Sequence, residues 1–146
     1  MGFFSFGRDK MKDATNAVSG NKDFLEGLCA ATAWTAAAEG GIDDQEYDKV
    51  LTGITGNSAI NGSYSASEVE KVFNRMAAKT KTRQGKSELK TEIEQVIGRD
   101  KSGKMGEAIV YTCLDVADEG GISDAEEKVM KEIAQICNVN YEKLKG

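Results

Sequence analysis

The sequence predicts an all-α domain, a bundle of about seven helices built around two copies of one helix–acidic loop–helix hairpin. Three observations lead there. The 146 residues include no proline and 16 glycines, a usage that suits helices joined by short glycine-marked turns. Apolar residues recur with helical spacing along most of the chain, while no segment of useful length alternates with the period of two that marks a half-buried strand. Finally, Glu39-Gly40-Gly41-Ile42-Asp43-Asp44-Gln45-Glu46 returns 80 residues later as Glu119-Gly120-Gly121-Ile122-Ser123-Asp124-Ala125-Glu126, with six identities in eight positions.

Taken in order, the elements are as follows. A weak helix is predicted near 8–18 and a long Ala-rich helix near 21–39. A third, near 43–55, follows from Tyr47, Val50, Leu51 and Ile54 on one stripe. Val69, Val72, Phe73, Met76 and Ala77 predict a helix near 65–79, and Leu89, Ile93, Val96 and Ile97 predict another near 86–98. Met105, Ile109, Cys113 and Val116 place one near 103–119, while Val129, Met130, Ile133, Ile136 and Cys137 place one near 123–138. A short turn of helix closes the chain at 140–145. Asp43 with Glu46, Ser65 with Glu68 and Ser123 with Glu126 match the start signal of a helix, in which a short polar side chain and a Glu three places on satisfy amides without intrahelical partners.

The length suits one domain, 1–146. Its repeat copies span about 21–56 and 103–138, with connector helices in 57–102. Each copy is a long apolar helix, a Gly-Gly turn that tolerates left-handed backbone, an anchoring isoleucine and a capped second helix. Such a hairpin buries one face only, so the two copies are expected to pack together about a pseudo-two-fold axis.

Composition excludes several functions. With 40% apolar and 29% charged residues, the chain falls in the globular range. No apolar run approaches the roughly 18–20 residues needed to span a bilayer. The N-terminal Met1-Gly-Phe-Phe-Ser-Phe has neither the cationic start nor the cleavage site of a secretory signal. Phe6 stands where a myristoylation signal needs Ser or Thr. Cys29, Cys113 and Cys137 are too few and too widely spaced for a disulfide framework or a thiolate zinc site, and their apolar neighbours mark them as small buried hydrophobes. There is no histidine. Its absence removes the commonest general base and every Ser–His or Cys–His pairing. An enzyme is therefore not expected, and any metal would be held by oxygen, which favours calcium, magnesium or manganese.

Charge is segregated. Residues 71–104 carry ten Lys or Arg against four Asp or Glu, so the acidity of a chain of net charge −5 concentrates at the repeated loops. Asp115, Asp118 and Glu119 stand at i, i+3 and i+4 near a helix C-terminus. Like charges at this spacing repel by roughly 0.2–0.5 kcal/mol a pair, and the negative end of the helix dipole adds roughly 0.3–1 kcal/mol. A bound divalent cation would offset that, with Asp124 and Glu126 approaching across the turn. The first loop offers Glu39, Asp43, Asp44 and Glu46. The competing account is structural: Asp43, Ser123, Glu46 and Glu126 are caps, Asp44 and Asp124 are favourable first-turn acids, and the domain carries the remaining repulsion without an ion. The oxygen pattern of an EF-hand is absent from both loops.

The basic stretch from Lys79 to Lys86 has no interleaved aromatic and reads as a solvated loop, so no nucleic acid is expected as a partner. Trp34, among alanines in mid-helix, reads as a packing residue. Phe3, Phe4 and Phe6, followed by Arg8, Lys10 and Lys12, have the composition either of a weak membrane-surface contact or of aromatics docked on the domain.

At the repeated loops the chain resembles a known family. The stretches Ala38-Glu39-Gly40-Gly41-Ile42-Asp43-Asp44-Gln45-Glu46 and Ala117-Asp118-Glu119-Gly120-Gly121-Ile122-Ser123-Asp124-Ala125-Glu126 look like the doubled Ala-Asp-Gly-x-Ile-Ser/Asp-x-x-Glu signature of the TerB family of tellurite-resistance proteins. Met1-Gly-Phe-Phe and Lys22-Asp23-Phe24-Leu25-Glu26-Gly27 are similar to that family's N-terminal region. The resemblance implies a seven-helix bundle with an acidic face and a non-enzymatic, cytoplasmic role in tellurite resistance and stress response, at the inner face of the membrane. It also implies partnership with TerC-like membrane proteins and TerD-like calcium-binding proteins. A metal site in the doubled loop would fall on Glu39, Asp43 and Glu46 and on Glu119, Ser123 and Glu126. In both copies Glu replaces the family's Asp before Gly. The function expected is that of an adaptor whose acidic face binds a divalent cation or a partner protein, the alternative being a structural interaction module with no metal site.

Overall fold

The structure, a computed structural model, describes residues 22–57, 60, 62–117 and 121–146. Among these it is all-helical, with α1 at Lys22–Ala36, α2 at Asp44–Thr55, α3 at Ala66–Lys79, α4 at Arg83–Arg99, α5 at Met105–Ala117, α6 at Asp124–Ile136 and α7 at Tyr141–Lys145. The helix expected near 8–18 lies outside the described residues.

Two helices form the centre. α1 and α5 are apolar around almost their whole circumference, the pattern of helices buried on every side. Phe24, Leu25, Leu28, Cys29 and Ala33 of α1, and Ile109, Val110, Tyr111, Cys113 and Leu114 of α5, are all buried. Both helices also bury hydroxyls, and these are satisfied locally. Thr32 donates to Leu28 O at 2.9 Å, Thr35 to Ala31 O at 2.9 Å and Thr112 to Ala108 O at 2.8 Å, so none of these three threonines is left with an orphaned donor. α1 packs on α5, and each also packs on both second helices of the repeats, α2 and α6.

The amphipathic helices cover this centre. α2 buries Val50 and Ile54, α3 buries Val69, Phe73 and Met76, and α6 buries Met130, Ile133 and Ala134. The most extensive helix–helix contact is α1 on α4, made close by a glycine. A Cβ built on Gly27 would lie 2.5 Å from Val96 Cγ2. One hydrophobic cluster draws residues from all seven helices.

Helix ends follow side-chain chemistry. Asp43, Ser65, Thr82, Ser123 and Asn140 are N-caps whose side chains accept a backbone N–H three residues on. Asp100 caps α5 from a distance, accepting Met105 N at 3.0 Å with one oxygen and Ser102 N at 2.9 Å with the other. α6 ends in a Schellman motif. Asn138 takes φ 56°, its N–H reaching Gln135 O at 3.2 Å while the Val139 N–H reaches Ala134 O at 2.9 Å.

Most predicted boundaries fall within two residues of the observed ones, and two differ by three. α1 ends at Ala36 because residues 37–39 tighten into turns, with Ala38 N–H bonded to Thr35 O and Gly40 N–H to Ala37 O. α4 starts at Arg83 rather than 86. The expectation that Lys79 to Lys86 forms a solvated loop is therefore corrected: Lys79 closes α3, residues 83–86 are the first turn of α4, and only 80–82 connect them. The Thr82 hydroxyl accepts Gly85 N–H at 2.9 Å, a cap without the Glu three places on that accompanies Asp43, Ser65 and Ser123. Gly85 is needed there, since a Cβ would lie 2.8 Å from Lys79 C and Cα and closer still to Lys79 O.

The cysteines behave as buried hydrophobes. Cys29, Cys113 and Cys137 are free and buried, and burial pushes each thiol up to about 12. No helix among the described residues is long and apolar enough to cross a membrane.

Candidate functional site

The repeated loops leave the C-terminal ends of α1 and α5 and enter α2 and α6. Both turn through glycine with positive φ. In the first copy it is Gly40, at φ 137°; in the second it is Gly121, at φ 90°, which aligns with Gly41. Gly41 and Gly121, at the same position of the repeat, therefore differ in backbone conformation.

The caps differ as well. Ser123 and Glu126 close a full capping box: the Ser123 hydroxyl accepts Glu126 N–H at 3.1 Å, and the Glu126 carboxylate accepts Ser123 N–H at 3.0 Å. In the first copy only half of this forms, with Asp43 accepting Glu46 N–H at 2.8 Å. The Glu46 carboxyl instead lies within hydrogen-bonding reach of the Asp43 carboxyl, where Glu126 meets a neutral hydroxyl.

Glu46 and Glu126, equivalent positions of the two copies, line the same small cavity of about 50 Å³, walled by Thr35, Val50 and Val116 and shared with Lys49. Here the Glu46 carboxyl is held above the ordinary carboxylate range, first by desolvation, then by the charge of Asp43 and a hydrogen bond with it, and further by the charges of Glu126 and Glu39. Four of the acids singled out in the sequence thus act on one another.

The others are placed as follows. Glu39, Asp43, Asp44 and Asp124 are exposed, as is Asp115 on the last turn of α5, while Glu46 and Glu126 are half-buried. Asp44 lies on a different and larger cavity. Asp118 and Glu119 lie outside the described residues. Among the described residues no three carboxylates or thiols converge closely enough to hold a metal ion.

No family model, curated protein or solved structure matches this chain. What the site can do rests on its own chemistry. A pair of carboxylates held near one another by two separate helices favours anything that brings positive charge, whether a proton, a cation or a basic side chain. Sequence reasoning named both acids but missed their apposition and the presence of Lys49 between the copies. Helical periodicity carries no sign of a pairing across 80 residues. The repeat itself was the available signal, since Glu46 and Glu126 hold equivalent positions of its two copies.

Proposed function

We propose that this chain is a non-enzymatic adaptor of the tellurite-resistance, TerB-like kind, whose acidic face binds a divalent cation or a basic partner protein. The observation that carries this reading is the apposition of Glu46 and Glu126, with the Glu46 carboxylate disfavoured first by desolvation and then by the charges of Asp43, Glu126 and Glu39. Carboxylates whose mutual repulsion is maintained by the fold bind a cation more tightly than solvated ones, since the ion relieves a cost the folded protein already carries. Calcium, magnesium or manganese fits the oxygen-only donors. On this reading the adaptor works in the cytoplasm, at the inner face of the membrane through TerC-like partners and alongside TerD-like calcium-binding proteins.

A purely structural module is the second reading, and it draws support from the caps. Asp43, Ser123 and Glu126 each satisfy a backbone amide, and Lys49 supplies positive charge at the same cavity. Thermal melts with calcium, magnesium and manganese chlorides separate the two, because an ion bound to the native state alone must raise the melting temperature. The adaptor reading expects a saturable rise that Glu46→Gln with Glu126→Gln abolishes. An unchanged melt with every ion, or a rise the double variant retains, removes these carboxylates from any cation site.

A further inference from the structure

The basic stretch from the end of α3 into the first turn of α4 has no interleaved aromatic in sequence, but the fold brings one to it. Two cavities meet at Lys86. One, of about 660 Å³, lies between the first Gly-Gly loop and the end of α3. Its walls include Ala37, Ala38, Ala77 and Ala78, with Asp44 and Asn74 as polar groups and Lys81 at its edge. Tyr47 also lines it and donates its hydroxyl to the Asn74 carbonyl, leaving the Asn74 NH₂ to meet a ligand. The other cavity, of about 380 Å³, is lined by Trp34, Arg83, Lys86 and Lys90. Lys90 Nζ stands 5.4 Å from the Trp34 ring centroid and 3.7 Å from a Glu132 carboxylate oxygen.

Lys81, Arg83 and Lys86 have no ion-pair partner among the described residues. In a chain with 24 acidic residues that is a specific arrangement, since three cations within six positions repel one another and none of them is ion-paired among the described residues.

We propose that these joined cavities bind a nucleotide, its phosphates held by Lys81, Arg83 and Lys86 and its nucleoside seated in the larger cavity. Each cavity falls within the roughly 300–1,000 Å³ of small-molecule pockets. Arginine and lysine supply charge-assisted hydrogen bonds to phosphate oxygens. The alanine walls accept a flat ring without steric conflict, while Asp44 takes a hydrogen bond from an amino or hydroxyl group and Asn74 donates one. A long nucleic acid fits less well. It draws affinity from many phosphates over a wide basic face, and here Asp44 stands within the larger cavity and the chain as a whole carries −5.

Trp34 is the chain's single tryptophan, so its fluorescence reports on this site alone. The experiment titrates the full chain with ATP in the presence of a chelator, which silences any cation site on the acidic face, and repeats the titration by calorimetry. Tripolyphosphate and adenosine are the comparison probes. Saturable binding of ATP is expected, about tenfold or more tighter than tripolyphosphate because the nucleoside contributes. Arg83→Glu with Lys86→Glu is expected to weaken it by at least about tenfold. Both positions are exposed and acids are favourable in the first turn of a helix, so the variant keeps its melting temperature and loss of binding is not loss of fold. The proposal is overturned by no saturable signal at millimolar ATP, by equal affinity for tripolyphosphate, or by undiminished binding in the double variant. A saturable tryptophan response to polyglutamate without any ATP binding would overturn it in favour of an acidic protein partner.

Discussion

Two glycines of one helix provide a sharp test of the packing that shapes the basic cavities. Gly85 and Gly98 both lie in α4, and helix propensity alone predicts that Ala at either site gains about 0.5–1 kcal/mol. The structure separates them. At Gly98 an added Cβ meets nothing within 4 Å, while at Gly85 it comes within 2.8 Å of Lys79 C and Cα and closer still to Lys79 O. Those are backbone atoms and cannot rotate away, so the end of α3 must retreat from α4. Overpacking of this kind costs about 1–3 kcal/mol, and the displaced turn weakens the Thr82 cap by about 1 kcal/mol. After the propensity gain, Gly85→Ala is expected to lose about 1–3 kcal/mol and about 3–10 °C in melting temperature. Gly98→Ala is expected to gain about 1–4 °C. Calorimetric or circular-dichroism melts of the two variants, with urea unfolding to confirm the free energies, measure the contrast directly. If Gly85→Ala melts at or above the parent protein, the α3–α4 turn is not packed as described, and the walls around Lys81 and Lys86 go with it.

Other expectations follow from the same structure. Burial alone would raise the Asp100 carboxyl, but hydrogen bonds from the Ser102 hydroxyl and from the backbone of Met105, Ser102 and Gly103 outweigh it and hold the group below the usual carboxylate range. Its stabilisation is thus fully present above the unfolded-state pKa and lost as pH falls through the lower native one. Asp100→Ala should cost about 1 kcal/mol near neutrality, and the deficit should vanish in acid melts; a deficit constant with pH would refute this. Glu46 has the opposite sign. Its raised native carboxyl makes the parent lose stability relative to Glu46→Gln as pH rises from the unfolded carboxylate pKa through the raised native one. Parallel pH–stability curves for the two proteins would contradict the Glu46–Glu126 apposition. Cys29, Cys113 and Cys137, buried and with thiols pushed up to about 12, should resist an aromatic disulfide reagent in the native state and react together on unfolding. Rapid native labelling of any one would show that its helix opens locally.

Much of the architecture was legible from local chemistry. The helices of Val69, Phe73 and Met76 and of Met130 and Ile133 announced themselves by spacing, because one apolar stripe must face the core. Asp43, Ser65 and Ser123 announced their starts, because a short polar side chain before a helix has a specific amide to satisfy. Thr82 did the same work without the accompanying Glu, in a segment whose glycine and cations resemble a loop, so the first turn of α4 went unseen. The need for Gly85 there comes from Lys79 in the preceding helix, a steric fact with no trace in composition.

The candidate sites divide along the same line. By itself the sequence determined that the acids would gather at two repeated loops and the cations between α3 and α4, since both follow from where residues stand along the chain. Only the tertiary structure decided which charges meet. It set Glu46 against Glu126 across the two copies and gave them unequal caps. It also brought Trp34 from α1 to Lys86 and Lys90 of α4. The physical reason is that helix formation is governed by neighbours three and four residues away, whereas Coulomb repulsion, desolvation and cavity shape depend on distances in space that only the packed core establishes.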